Sequence, residues 1–137
     1  MSTEAAKAPD QAIQIHPKAW GEEHWIVNEE YCGKRLVLKA GHRCSIHYHK
    51  IKDEVFYVSS GLVLMEIGES VRVLGPGMKQ HVKPNERHRF TGLEDSEIFE
   101  FSTRHRENDS YREAPSGAVP TEEFRELRKR WIEGGKS

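Results

Sequence analysis

Apolar and polar residues trade places along this chain mostly in short runs. Lys34-Arg35-Leu36-Val37-Leu38-Lys39 alternates, so that a strand would put Leu36 and Leu38 on one face. Ile13-Gln14-Ile15 alternates in the same way and predicts a first edge strand. Further strands are predicted over residues 24–28, 44–49, 54–58, 62–67, 71–74, 80–83, 88–91 and 97–103. Turn residues separate them, with Gly68-Glu69-Ser70 reading as a hairpin turn and Gly75-Pro76-Gly77 as a sharper one. Residues 16–21 and 29–33 are expected as turns, the first with Trp20 as an aromatic anchor. Many short strands between turns argue an all-β antiparallel barrel or sandwich.

The ends read differently. Residues 1–12 are small and polar and are expected to be a disordered tail. The barrel is expected over 13–119, its last part, 104–119, crossing the surface as a polar closing tail. A short C-terminal α-helix is expected over 120–133, with Thr121 as N-cap and Glu122 and Glu123 in the first turn. Phe124, Leu127 and Trp131 fall on one side of it.

Composition narrows the partners. The 137 residues suit one domain with a sizeable core. A formal net charge of -1, without a basic block, gives nucleic acid no electrostatic footprint. No apolar run approaches a membrane span, and the N-terminus lacks the apolar segment of a secretory signal. Cys32 and Cys44 make no metal or redox spacing and read as reduced thiols, which places the protein in the cytoplasm.

Candidate chemistry gathers between Gly41 and Gly61. His47 and His49 are two apart, which in a strand puts both imidazoles on one face. Glu54 opens the next apolar run, so a neighbouring strand could bring its carboxylate alongside. Two neutral imidazoles and a carboxylate suit a divalent first-row metal.

This stretch resembles the first motif of the cupins, G-x5-H-x-H-x4-E-x6-G, at every defined position. The second cupin motif, G-x5-P-x-G-x2-H-x3-N, is met more loosely by Gly77, Lys83, Asn85, His88 and Gly92. Asn85 tolerates a left-handed turn and can stand for the glycine. The resemblance implies a jelly-roll β-barrel and four ligands, His47, His49, Glu54 and His88, holding one divalent ion per chain. Such a donor set does not choose among Mn, Fe, Co, Ni and Zn. His81 is a competing ligand that the motif does not select.

Two further features resemble cupin sugar isomerases of the D-lyxose isomerase type. Lys52 completes His47-x-His49-x2-Lys52-x-Glu54, and Glu100-Phe101-Ser102 runs into a polar tail containing Asp109. Lys18-Ala19-Trp20-Gly21-Glu22 is similar to the start of the cupin domain of bacterial mannose-6-phosphate isomerases. The implied activity is aldose–ketose isomerisation of a sugar such as D-lyxose or D-mannose, or of a sugar phosphate, through a cis-enediol. Glu100 would be the proton-transfer base, and Lys52 would assist on a substrate oxygen. Strand parity alone would turn Phe99 and Phe101 to the core and Glu100 to solvent, whereas the resemblance turns Glu100 inward. A carboxylate in a half-dry pocket would have its pKa raised. Arg112 and His105 read as surface residues that could close over a sugar hydroxyl or phosphate. With Phe99, Phe101 and Trp131 in need of cover, a homodimer is expected. An iron-dependent cupin dioxygenase, which uses the same donors, and a non-catalytic metal- or sugar-binding cupin are the alternatives.

Overall fold

The computed structural model describes residues 12–133, so the predicted tail at 1–12 lies almost wholly outside the described residues. Among the described residues thirteen strands pair antiparallel into two sheets. The first sheet has the order β1-β2-β3-β11-β6-β9. It comprises β1 Gln14–Lys18, β2 Gly21–Asn28, β3 Tyr31–Leu38, β11 Ser96–Thr103, β6 Glu54–Ser60 and β9 Lys79–Val82. The second has the order β12-β5-β10-β4-β13, with β7 added to β10 and β8 to β7. Its strands are β4 His42–Arg43, β5 Ile46–Tyr48, β7 Val63–Ile67, β8 Ser70–Leu74, β10 His88–Gly92, β12 Tyr111–Ala114 and β13 Gly117–Ala118. The helix α1, Thr121–Arg128, continues into a π-helical turn, Lys129–Glu133. Among the described residues no helix is long and apolar enough to cross a membrane.

The core lies between the sheets. Leu36 and Leu38 on β3, Ile98 on β11, and Phe56 and Val58 on β6 meet Val63, Met65, Leu74 and Phe90 from the opposite side. Each such side chain contributes ~1.5–3 kcal/mol of burial. The apolar filling occupies one end of the barrel only. Going toward the other end, the same inward faces carry Lys34 before Leu36, Glu100 after Ile98 and Glu54 before Phe56, all buried. Period-two alternation therefore builds a dry floor and a charged cavity from the same strands.

Several expectations need correction. Residues 16–18 extend β1 and residues 31–33 open β3, where turns were expected. Their ladders are complete: His16, Pro17 and Lys18 lie opposite Glu23, Glu22 and Gly21, and Ser102 lies opposite Cys32. The closing tail is more than a surface crossing, because β12 pairs with β5 and β13 with β4. The N-cap of α1 is Pro120, without a side-chain capping bond, and Thr121 is already helical. The aromatic ring of Phe124 instead covers Gly41 at 3.6 Å from where a Cβ would stand.

Two backbone positions tie the turns to the site. Asn85 adopts a positive φ of 72°, the conformation anticipated for the glycine position of the second motif. Its N–H donates to the carbonyl of His49 at 2.6 Å. Gly61, at φ 92°, leaves no room for a side chain, since a Cβ would stand 2.2 Å from Ser96 Oγ.

Candidate metal centre and active site

His47 sits on β5 and His88 on β10, as direct cross-strand partners. His49 follows β5 by one residue, and Glu54 begins β6 in the facing sheet. One ring nitrogen from each of His47, His49 and His88 lies within 4.8 Å of the others. These three imidazoles can hold a metal ion. His49, His88 and Glu54 are 6%, 1% and 2% exposed, and His47 is half-buried.

The imidazoles are oriented before any ion arrives. His47 Nδ1–H donates to the Ser45 carbonyl at 2.8 Å, His49 Nδ1–H to the Asp109 carbonyl at 2.9 Å, and His88 Nδ1–H to the Glu86 carbonyl at 3.0 Å. With each Nδ1 committed as donor, each Nε2 carries a lone pair toward the shared centre. Burial, helped by the neighbouring His88, pushes the His47 pKa down to about 3. Burial likewise lowers that of His49 against the pull of Glu54. Both rings therefore stay neutral at pH 7, the form a metal needs.

The carboxylate of Glu54 fits the same centre. Its Oε2 lies 3.2 Å from His88 Nε2 and 3.4 Å from His49 Nε2. Oε2 and His88 Nε2 are nonetheless both buried without a hydrogen bond. Two facing polar atoms left orphaned in a dry site are costly unless a third party engages both. Burial pushes the Glu54 pKa up, but the charge of Lys52 beside it opposes this, and the carboxyl is held below its ordinary range.

Lys52 and Glu100 face this centre across the cavity. Glu100 points inward and is 5% exposed, while Phe101 on the outer face is 57% exposed. Lys52 Nζ lies 2.5 Å from Glu100 Oε2 and 3.6 Å from Glu54 Oε1. Burial disfavours its charge, but Glu100 and Glu54 reverse that and raise its pKa. Ser102 Oγ donates to the same Oε2 of Glu100 at 2.9 Å. The loop carrying Lys52 is held by Asp109, whose carboxylate accepts the backbone N–H groups of Lys50, Ile51 and Lys52 at 2.9–3.2 Å. Burial raises the Asp109 pKa, yet these donors prevail and leave it lowered.

His105 is half-buried and lines the cavity, where its Nδ1 lies 3.4 Å from Lys52 Nζ. Arg112 is exposed at the rim and opposite His47 in the β12–β5 ladder. His81 is exposed on the outer side of β9 and paired with Asp53, away from the three imidazoles. The cavity measures about 130 Å³. Its wall also includes Glu23, Trp25 and Lys34, which the sequence reading did not single out. Lys34 shares the inward parity of Leu36 and Leu38, and that parity was the available signal.

Residues 34–101 match the family model of the cupin domain, and with the two-sheet architecture this shows a jelly-roll cupin domain. Solved structures share the fold. KdgF from Halomonas sp. superposes with a TM-score of 0.64 at 19% identity, over 72% of this chain and 91% of that one. Streptomyces PAC13 with uridine gives 0.68 at 15% identity, over 85% and 93%. Oxalate decarboxylase from Bacillus subtilis gives 0.65 at 18% identity over 73% of this chain, which spans only 30% of its length. A search of curated proteins found no match.

Proposed function

We propose that this cupin is a metal-dependent aldose–ketose isomerase acting on an open-chain sugar or sugar phosphate. The observation that carries the reading is the Lys52–Glu100 pair, 2.5 Å apart and buried, on the same cavity as His47, His49 and Glu54. Isomerisation needs a proton moved between adjacent carbons while charge develops on the adjoining oxygens. A buried carboxylate beside an ammonium group supplies both functions. The cavity wall offers Lys34, Lys52, Glu100, His105 and Arg112, a lining suited to hydroxyl groups rather than to an apolar oxygenase substrate.

In this reading His47, His49, His88 and Glu54 are the ligands of one divalent ion. When bound, the ion supplies Lewis acidity toward the carbonyl oxygen and the neighbouring hydroxyl oxygen of the sugar. Lys52 and Ser102 both engage Glu100 Oε2, which leaves Oε1 for the substrate. Glu100 takes the proton from the carbon bearing the hydroxyl, and the C–H electrons form the carbon–carbon double bond of a cis-enediol. The carbonyl electrons move onto their oxygen, which takes a proton. The same carboxyl group then returns the carbon-bound proton to the former carbonyl carbon, while the neighbouring hydroxyl gives up its own proton and becomes the new carbonyl. One proton has then passed between carbons and one between oxygens. Lys52 holds Glu100 in place and donates to the oxygen on which charge grows. Arg112 and His105 close over the remaining hydroxyls or a phosphate. With two buried free thiols and a small-molecule substrate, the reading is of a cytoplasmic, homodimeric enzyme.

The test is a screen of free and phosphorylated aldoses with Mn, Co and Zn, run without oxygen in deuterated water. Ketose carrying deuterium next to the carbonyl is the expected product. In a parallel aerobic run with iron, oxygen uptake without isomerisation would reassign the site to a dioxygenase.

A further inference from the structure

A second ion pair, its lysine buried and its carboxylate half-buried, lies in the cavity wall beside Glu100. Lys34 is 2% exposed, and its Nζ lies 2.9 Å from Glu23 Oε1 and 4.6 Å from the centre of the Trp25 ring. Trp25 Nε1–H donates to the same Glu23 oxygen at 2.7 Å. Lys34 is the cross-strand partner of both Trp25 on β2 and Glu100 on β11. The unit therefore adjoins the proposed base and extends the polar wall away from it. Glu23, Trp25, Lys34 and Glu100 line one cavity with His47 and His49.

The fold has no need of this pair. Lys34 occupies the inward register that Leu36 and Leu38 occupy further along β3. Removing an ammonium and a carboxylate from water costs more than their attraction generally returns, and apolar replacement of a buried pair is often neutral or stabilising. The pair is also unsaturated. An ammonium has three donors, and among the described residues Lys34 Nζ makes one hydrogen bond, to Glu23. Both Lys34 and Trp25 engage Glu23 Oε1, so Oε2 keeps its acceptor capacity. An unspent donor beside an unspent acceptor is complementary to a hydroxyl, which donates and accepts at once. Two such groups side by side match a vicinal diol.

We infer that Lys34 and Glu23 form a distal hydroxyl-binding subsite that takes the polyol chain of the substrate beyond its reacting carbons. The subsite rests on the isomerase reading above and makes it more specific: the substrate is a polyhydroxylated chain of five or six carbons, and the pair selects its length and stereochemistry. Shorter aldoses would reach the ligands and Glu100 but not Lys34.

The experiment uses the metal-loaded protein and two readouts. Calorimetry measures binding of xylitol, ribitol and mannitol, which cannot react. Steady-state kinetics compares a five-carbon aldose with glyceraldehyde. The variants are Lys34→Met, close in size to lysine, and Glu23→Gln, a milder change that covers the case in which the first fails to fold. Each variant is expected to keep its metal and to lose alditol affinity ~10–100-fold, the scale of a lost hydrogen bond to a charged group. The drop in kcat/KM should be at least tenfold larger for the five-carbon aldose than for glyceraldehyde. Alditol affinities equal to the parent's would overturn the subsite and leave a structural ion pair. Equal losses on long and short aldoses would overturn it as well, by making Lys34 a support for Glu100. If the parent neither binds alditols nor isomerises any aldose, the isomerase reading has failed and the subsite goes with it.

Discussion

His49 and Asp109 lie sixty residues apart and are joined by a 2.9 Å bond from the imidazole Nδ1–H to the Asp109 carbonyl. The carboxylate of the same aspartate gathers three successive N–H groups of the loop that carries Lys52. One residue thus orients a candidate ligand with its main chain and a candidate catalytic lysine with its side chain. Asp109→Ala leaves that carbonyl in place but frees the loop between His49 and Glu54, and should weaken metal retention ~10-fold, the lower end of what a lost supporting group costs. Chelator competition measures this. Unchanged retention would mean that the loop holds its shape unaided.

Replacing His47 and His49 with Ala should abolish metal retention after dialysis, since two of the three clustered imidazoles go. His81→Ala should leave metal content near that of the parent, because His81 is exposed and paired with Asp53. Elemental analysis of the dialysed proteins decides both outcomes.

Glu100→Gln preserves size while removing the proton acceptor. It should keep the fold and the metal and lower kcat ~10²–10⁴-fold. KM should change far less, because the lost interaction matters mainly in the transition state. Solvent deuterium incorporation should fall in step with kcat. Turnover at the parent rate would remove Glu100 from the chemistry.

The outer face of the first sheet carries Tyr57 and Phe101, 38% and 57% exposed, with Phe99 between them in the ladder. Covering those rings against a second copy would complete a homodimer. Phe101→Glu should then give a monomer by light scattering, with the barrel intact by circular dichroism. A parent that is monomeric at micromolar concentration would refute the dimer.

Burial pushes the Cys44 thiol from 9.0 up to about 12, and burial also raises Cys32. A raised thiol pKa reduces the reactive thiolate at any pH below it. At pH 8.5 the thiolate of Cys44 should be scarcer than in the unfolded chain by ~10³-fold. Alkylation by iodoacetamide should accordingly await unfolding, as mass spectrometry with and without denaturant can read. Fast labelling of the native protein would contradict the burial.

Motif spacing brought His47, His49, Glu54 and His88 to attention, and period-two alternation located ten strands within a few residues of their ends. Parity misled at Phe99 and Phe101. Alternation separates two faces without saying which is inner, and here the inner face turns from apolar to charged partway along β11. The same change of character hid Lys34 and Glu23. Strands β12 and β13 are short and polar, and they form only because β5 and β4 offer them free edges. Their existence depends on pairing that local sequence does not encode.

The bond between His49 and Asp109 has a consequence for how the protein is made. The candidate ligands come from strands in both sheets, and His49 receives its orientation from a segment reached only after the last barrel strand, β11. Such contacts close large loops, and their entropic cost is met late in folding. The centre should therefore be absent from the folding transition state. Metal present during refolding should leave the folding rate almost unchanged and slow unfolding instead. The ion would act as a latch on a finished barrel rather than as a nucleus for building one.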